Sequence, residues 1–310
     1  MGGRISTVFM GTPAFAVPAL ETVAELTDLR LVVTQPDRPA GRGRRLEPPP
    51  VKMAALAMGK DVIQPHVVKG RRFAETIGAV GPDLIVTAAY GRILGRRLLD
   101  LPMLRCVNVH ASLLPAYRGA APINWAIVNG ERETGVSIMR MEEGLDSGPV
   151  YRASKVEILP DETAGELTER LSRVGAEALA EFLGEVETAR AVEQDHSLAT
   201  HAPIIRKSDG IIDWSRGSRE LHDHVRGFHP WPCATTLLEG RPLKIHRTAV
   251  IGEGHGAVPG TVLSHTPEGV DVACGSGRLR LTALQLPGKK RLDAAAFFSG
   301  KRLSEGTLLG

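Results

Sequence analysis

Four short β-branched runs alternate with stretches of helical spacing up to His110, and this alternation limits the possible folds more than any other feature of the chain. The runs are "ISTVFM" from Ile5, "LRLVVTQ" from Leu29, "DLIVTA" from Asp83 and "RCVNVH" from Arg105. Each is apolar on both sides, so each needs cover on both faces, which helices crossing over a parallel sheet provide. "VKMAALAMG" and "RRFAETIGAV" have the composition of such helices. The pattern predicts an α/β domain with a doubly wound, mostly parallel, Rossmann-like sheet.

The stretch Glu162–Glu187 carries apolar residues at helical spacing with charge on the opposite side, and predicts a long helix that closes this domain. Periodicity is then lost through "ARAVEQDHSLATHAPIIRKSDG". Beyond it, short strand-like runs are punctuated by Glu239-Gly240, Glu268-Gly269 and Gly275 to Gly277, which is the pattern of a small closed or partly open barrel. A chain of 310 residues is long enough for two cores. The expected division is a catalytic domain over 1–190, a linker over 191–206 and a C-terminal domain over 207–310.

Several functions fit poorly. After the first strand, "MGTPAFAVPAL" offers Gly11 alone where a dinucleotide site shows GxGxxG and a P-loop shows GxxxxGK[ST]. Cys106, Cys233 and Cys274 are far apart and sit in apolar runs, as reduced cytoplasmic thiols do, and no cysteine–histidine cluster has zinc spacing. The expectation is therefore no metal. "HDH" at His222 to His224, with His229 beyond, is poorly spaced for a metal face. The absence of a long apolar run or a signal-peptide pattern predicts a cytoplasmic chain without membrane contact. Charge is uneven: from Lys207 onward 14 Lys and Arg face 10 Asp and Glu, a balance of +4, while the remainder, 24 against 25, is −1. A second basic knot, "DRPAGRGRR", runs from Asp37 to Arg45.

The stretch "CVNVHASLLP" raises the question of chemistry. In an open parallel sheet ligands bind outside the carboxyl ends of the strands. Asn108 and His110, two apart at such an end, point to one face. A carboxamide and an imidazolium can both donate to an oxygen that gains charge, as an acyl-transfer intermediate requires. A carboxylate is then needed to partner the imidazole. Asp146 in "MEEGLDSGPV" is the candidate, since Glu142 and Glu143 read as an exposed hairpin shoulder. Singly, these residues could equally be a strand cap, a satisfied histidine and a turn acid; their combination is what carries the reading.

With "NVHASLLPAYRGAAPINWAI" and, 36 residues past His110, "GLDSGPV", the chain resembles the folate-dependent formyltransferases. "FMGTPAFAVPAL", "TQPDRPAGRGRRLEPPPVK", "AAYGRIL" and "FHPWP" extend the likeness, nearly end to end, to the members that act on methionyl-tRNA. Ala111 departs from a position that is often Gly in that family. The resemblance implies 10-formyltetrahydrofolate as formyl donor, the α-amino group of methionine on initiator methionyl-tRNA as acceptor, no metal, and a monomer. It implies catalytic roles for Asn108, His110 and Asp146. Folate contacts fall to Ser112, Leu113, Leu114 and Pro115, with Tyr90, Gly91 and Ile93 walling the pterin. It assigns tRNA contacts to Arg38, Arg42, Arg44 and Arg45 in a projecting loop, and to Lys207, Lys289 and Lys290 on an OB-like barrel. The alternative within the family is a formyltransferase for an amino-sugar nucleotide, which should lack the arginine loop.

Overall fold

The computed structural model describes residues 4–310 except 41–44, 253, 255, 295 and 298–303. Its principal sheet is built as the apolar runs require. Strands β1 (Ser6–Gly11) and β2 (Asp28–Val33) are joined through α1 (Val17–Leu26) and pair in parallel. A short antiparallel hairpin, β3 (Arg38–Ala40) with β4 (Arg45–Glu47), follows. Next come α2 (Pro50–Ala57), β5 (Val62–Ile63), α3 (Arg71–Gly78), β6 (Leu84–Ala88), α4 (Arg96–Leu99) and β7 (Cys106–His110). The chain continues through β8 (Arg118–Gly119), α5 (Pro122–Val128), β9 (Glu133–Arg140), β10 (Val150–Glu157), α6 (Ala164–Gly184) and β11 (His201–Ala202). The sheet order is β10-β9-β7-β6-β1-β2-β5. All pairs from β5 to β7 are parallel, and β9 runs antiparallel to β7.

Because β1 has β2 on one side and β6 on the other, strand order reverses there, and the carboxyl ends of β1 and β6 flank the switch point. The register sets Met10, Thr87 and Asn108 in one row across β1, β6 and β7. Val8, Phe9, Met10, Leu84, Ile85, Val86, Cys106 and Val107 are fully buried, as two covered faces demand. Helix α6 comes so close to the sheet that a Cβ on Gly175 would lie 2.9 Å from Val109 Cγ1. Glycine there permits the close approach.

The chain divides into two compact units that are not consecutive in sequence. One runs to Pro122 and includes Thr134–Val156 and Thr168–Ala202; the other comprises Ile123–Glu133, Glu157–Leu167 and everything from Pro203. Of the stretch expected as a linker, residues 191–202 group with the first unit and 203–206 with the second.

In the second unit α7 (Ser218–Gly227) accompanies β12 (Ala234–Leu238), β13 (Arg241–Val250), β14 (Val262–Thr266), β15 (Gly269–Ala273), β16 (Arg278–Gln285) and β17 (Leu292–Asp293). The antiparallel order is β12-β13-β16-β15-β14, with β17 also on β16. The expected tight turn at Glu239-Gly240 joins β12 to β13, with φ of 50° and 71°. Leu308 and Leu309 bridge Thr261 and Leu238, beside the two edge strands. Trp214, Leu221, Leu243, Ile245, Val270, Leu279 and Leu281 form the core, and the Trp214 indole N–H donates to Thr236 Oγ1 at 3.0 Å.

Candidate active site

Strand β7 delivers Asn108 and His110 to its carboxyl end on one face. The Thr87 hydroxyl on β6 donates to Asn108 Oδ1 at 2.8 Å. That bond fixes the carboxamide with Oδ1 toward the sheet, which leaves the Nδ2 donors for another acceptor. His110 is buried, and its Nε2 lies 3.0 Å from the Tyr117 carbonyl oxygen. A carbonyl only accepts, so Nε2 carries a proton. On the other side of the ring Nδ1 stands 3.7 Å from Asp146 Oδ2. Both ring nitrogens therefore face oxygen acceptors.

Asp146 is held by the backbone: Oδ2 accepts the Gly119 N–H at 2.9 Å. Gly119 needs its lack of a side chain, having φ of 123°, and a Cβ there would lie 2.5 Å from the Ala202 carbonyl oxygen. Asp146 and Tyr117 themselves occupy the left-handed region, with φ of 48° and 58°. Strained backbone gathered round one imidazole is typical of functional sites. Glu142, by contrast, pairs with Arg140 at 2.7 Å and is exposed, as its reading as a hairpin shoulder requires.

After His110 the loop is anchored by Ser137, its register partner on β9. The Ser137 hydroxyl donates to Ser112 O at 2.7 Å and accepts Leu114 N–H at 3.1 Å. Ser112 is buried and its hydroxyl donates to Ala116 O, so this side chain shapes the loop. Leu113, Leu114 and Pro115 are half-buried. Gly91 and Ile93 are exposed, whereas the Tyr90 ring packs into the core with Ile85, Leu94 and Leu98, and its carbonyl accepts from Gln35 Nε2 at 2.7 Å. Burial pushes the Tyr90 phenol up to about 12, against a small opposing pull from Arg92. Tyr90 is thus placed to support a wall from behind. Burial, reinforced by Asp100, also pushes the Cys106 thiol up to about 12, so it is not a thiolate at this strand.

On the same carboxyl edge of the sheet a crevice of about 270 Å³ is lined by Thr12, Pro13, Gln35, Pro36, Arg38, Glu47, Pro49 and Ala89. Exposed Arg38 donates from Nη2 to Gln35 Oε1. Arg42 and Arg44 lie outside the described residues, as does the Arg45 side chain, although the Arg45 backbone is part of β4. Lys207, Lys289 and Lys290 are exposed in the second unit. His222, His224 and His229 do not converge: His222 bonds Thr248 and Pro160, and no group of three possible metal ligands occurs among the described residues.

Sequence reasoning missed Thr87, Ser137 and Gln194. Thr87 had a signal, a hydroxyl inside the fully buried run "LIVTA". Gln194 had none, since its stretch has no period to set a face.

A family described as formyl transferase matches residues 6–183, and one described as the formyl transferase C-terminal domain matches 204–302. The methionyl-tRNA formyltransferase of Pelobacter propionicus is 51% identical over 98% of this chain and 96% of its own length. Those of Trichlorobacter lovleyi (49%, covering 99% and 97%) and Acetivibrio thermocellus (46%, covering 98% and 99%) are similar to it throughout. Among solved structures, an N-formyltransferase from Helicobacter canadensis, complexed with folinic acid and dTDP-3-aminofucose, shares the fold. Its TM-score is 0.66 at 17% identity, over 89% of this chain and 99% of that one. HypX from Aquifex aeolicus in complex with tetrahydrofolic acid has a TM-score of 0.64 at 17% identity, over 98% of this chain and 49% of its own. On the matching family descriptions and relatives alike along nearly their whole length, the chain belongs to the methionyl-tRNA formyltransferases within the formyl transferase family.

Proposed function

We propose that this chain transfers the formyl group of 10-formyltetrahydrofolate to the α-amino group of methionine on initiator methionyl-tRNA. The observation that carries the chemistry is the convergence of Asn108, His110 and Asp146 at the carboxyl end of β7. In the reaction the amine nitrogen bonds to the formyl carbon and the carbonyl oxygen becomes an oxyanion. Asn108 Nδ2, free because Thr87 takes Oδ1, donates to that oxyanion. His110, its Nε2 on Tyr117 O and its Nδ1 toward Asp146, stands beside the reacting carbon. The His110–Asp146 pair takes the amine proton; the bond from carbon to folate N10 then breaks and the pair passes that proton to N10. Folate, when bound, supplies the formyl carbon and the leaving nitrogen. The loop at Ser112 to Pro115, with Gly91 and Ile93, offers backbone and apolar surface for the pterin.

The acceptor requires an RNA-binding surface. We assign this to the β3–β4 hairpin, with Arg38 and Arg45 on its strands, to Arg42 and Arg44 between them in sequence, and to Lys207, Lys289 and Lys290 on a second, OB-like domain. Lysines and arginines that contact phosphates make binding fall steeply with salt. The whole reading is of a cytoplasmic monomer with a catalytic domain joined to a tRNA-binding domain.

The test incubates purified protein with 10-formyltetrahydrofolate and, in separate arms, methionyl initiator tRNA or an amino-sugar nucleotide. Formyl-methionyl-tRNA should form and the sugar should stay unmodified; a formylated sugar with untouched tRNA would refute the proposal. Arg42→Ala should raise KM for tRNA and leave KM for folate unchanged.

A further inference from the structure

Every member of the site comes from the sheet's carboxyl edge or the loops beside it, yet the segment after α6 reaches back to touch them. Gln194 is buried, with 8% of its surface exposed, and all four hydrogen-bonding valences of its carboxamide are used. Nε2 donates to Asp146 O at 2.9 Å and to Gly148 O at 2.6 Å. Oε1 accepts from Arg118 Nε at 3.1 Å and Nη2 at 2.6 Å. Arg118 Nη2 also donates to His196 Nδ1 at 2.9 Å, and its neighbour Gly119 holds Asp146 Oδ2. A closed ring of contacts results: the Asp146 backbone to Gln194, Gln194 to Arg118, and along the chain to the Gly119 N–H that grips the Asp146 carboxylate.

We infer that Gln194 is a positioning residue for the reaction, one that sets the Asp146 turn against His110 from a segment with no catalytic group of its own. The inference rests on the reading of His110 and Asp146 as the catalytic pair. Two features of the structure support it. Asp146 sits in a left-handed turn, at φ 48°, and Gln194 bonds the carbonyls on both sides of that turn, those of Asp146 and Gly148. The same segment also holds the other partner of the imidazole: Thr200 Oγ1 accepts Tyr117 N–H at 2.8 Å, and the Tyr117 carbonyl faces His110 Nε2. Both oxygens facing the His110 ring are therefore referenced to residues 194–200. A carboxylate displaced by an ångström can cost about 10²-fold in rate without a change in binding.

The experiment measures kcat and KM for both substrates in Gln194→Ala and Gln194→Glu, each alone and combined with Asp146→Asn. Glutamate keeps the length and the Arg118 contact but turns oxygens toward two carbonyls. Either single variant should lose about 10- to 100-fold in kcat with both KM values held to within about twofold. On top of Asp146→Asn, neither should reduce kcat further, because the group being positioned is already disabled. Two results would overturn the inference: wild-type kcat in Gln194→Glu, or the same fold-loss repeated in the Asp146→Asn background, which a merely structural role would give. Should Gln194→Ala fail to fold, Gln194→Glu carries the test. If Asp146→Asn alone turns over like wild type, it is the catalytic reading that fails.

Discussion

Asp146 Oδ2 accepts the Gly119 N–H at 2.9 Å while standing 3.7 Å from His110 Nδ1. The first is a hydrogen bond and the second an ion-pair distance too long for one. The carboxylate is thus fixed by the backbone and presented to the imidazole, ready to balance its charge when the ring is doubly protonated.

Asp146→Asn keeps the shape and, through Oδ1, an acceptor for Gly119, but removes the charge. Turnover should fall about 10²- to 10⁴-fold, the range for loss of a positioned acid–base group, with KM for folate and tRNA little changed. Steady-state kinetics with each substrate varied checks this, and a loss confined to KM would make Asp146 a binding residue instead.

Thr87 provides a subtler case. Its hydroxyl is the group that orients Asn108, so Thr87→Val leaves Oδ1 unpaired and lets the carboxamide turn its acceptor toward the oxyanion. Deleting an oxyanion donor outright costs about 10²- to 10³-fold, and misorienting one should cost about tenfold. Thr87→Ser, which restores the donor, should recover most of kcat.

How much of this was legible in the residues differs by mechanism. β1, β2, β6 and β7 were readable because burial on both faces leaves continuous apolar runs, and the turn at Glu239-Gly240 because two successive left-handed residues leave a chemical mark. Asn108, His110 and Asp146 stood out as polar residues where burial or a turn gave them little structural purpose. Residues 191–202 were hidden because they are held by side-chain bonds to backbone polar groups, such as Gln194 to Gly148, which impose no period. Tyr90 reads as a ligand wall and its ring packs with the core cluster, a placement the residues do not disclose because an aromatic ring beside a glycine loop fits either setting.

Acidification should destabilise the second unit. Burial holds His224 and His229 at about 4, below the ordinary 6.5. Below pH 6.5 the unfolded chain takes up protons that the folded histidines refuse, so stability is lost as pH falls from 6.5 toward about 4 and is level below that. Glu166 adds a lower window: burial opposes its ionisation, but hydrogen bonds from Thr163 and the Arg247 guanidinium outweigh it and bring it to about 2. Its contribution, present above 4.5, is lost from there toward 2. All three tryptophans, Trp125, Trp214 and Trp231, belong to this unit, so their fluorescence reports its unfolding. The urea midpoint should drop between pH 6.5 and 4, and His224→Gln should flatten the drop.

The same unit holds an ion pair that ought to matter far more than its surface counterparts. Asp223 and Arg226 are 5% and 7% exposed, joined by a 2.7 Å bond from Nε to Oδ1. Arg226 Nη1 also donates to Leu159 O at 3.2 Å and Glu162 O at 3.1 Å. Asp223→Ala leaves a guanidinium buried without its counter-charge, and should lower unfolding free energy by about 3–5 kcal/mol in denaturant titrations. The double variant Asp223→Leu/Arg226→Met removes the stranded charge and should recover part of that loss. Recovery stays incomplete because the two hydrogen bonds from the Arg226 guanidinium to the Leu159 and Glu162 carbonyls are lost, and a bond from a charged donor contributes about 1.5–3 kcal/mol. The exposed pair Arg71–Glu75, at 2.6 Å, is the control: its bond is shorter, yet Glu75→Ala should change stability by no more than about 0.5 kcal/mol. Equal losses from Asp223→Ala and Glu75→Ala would show that burial is not what gives the inner pair its weight.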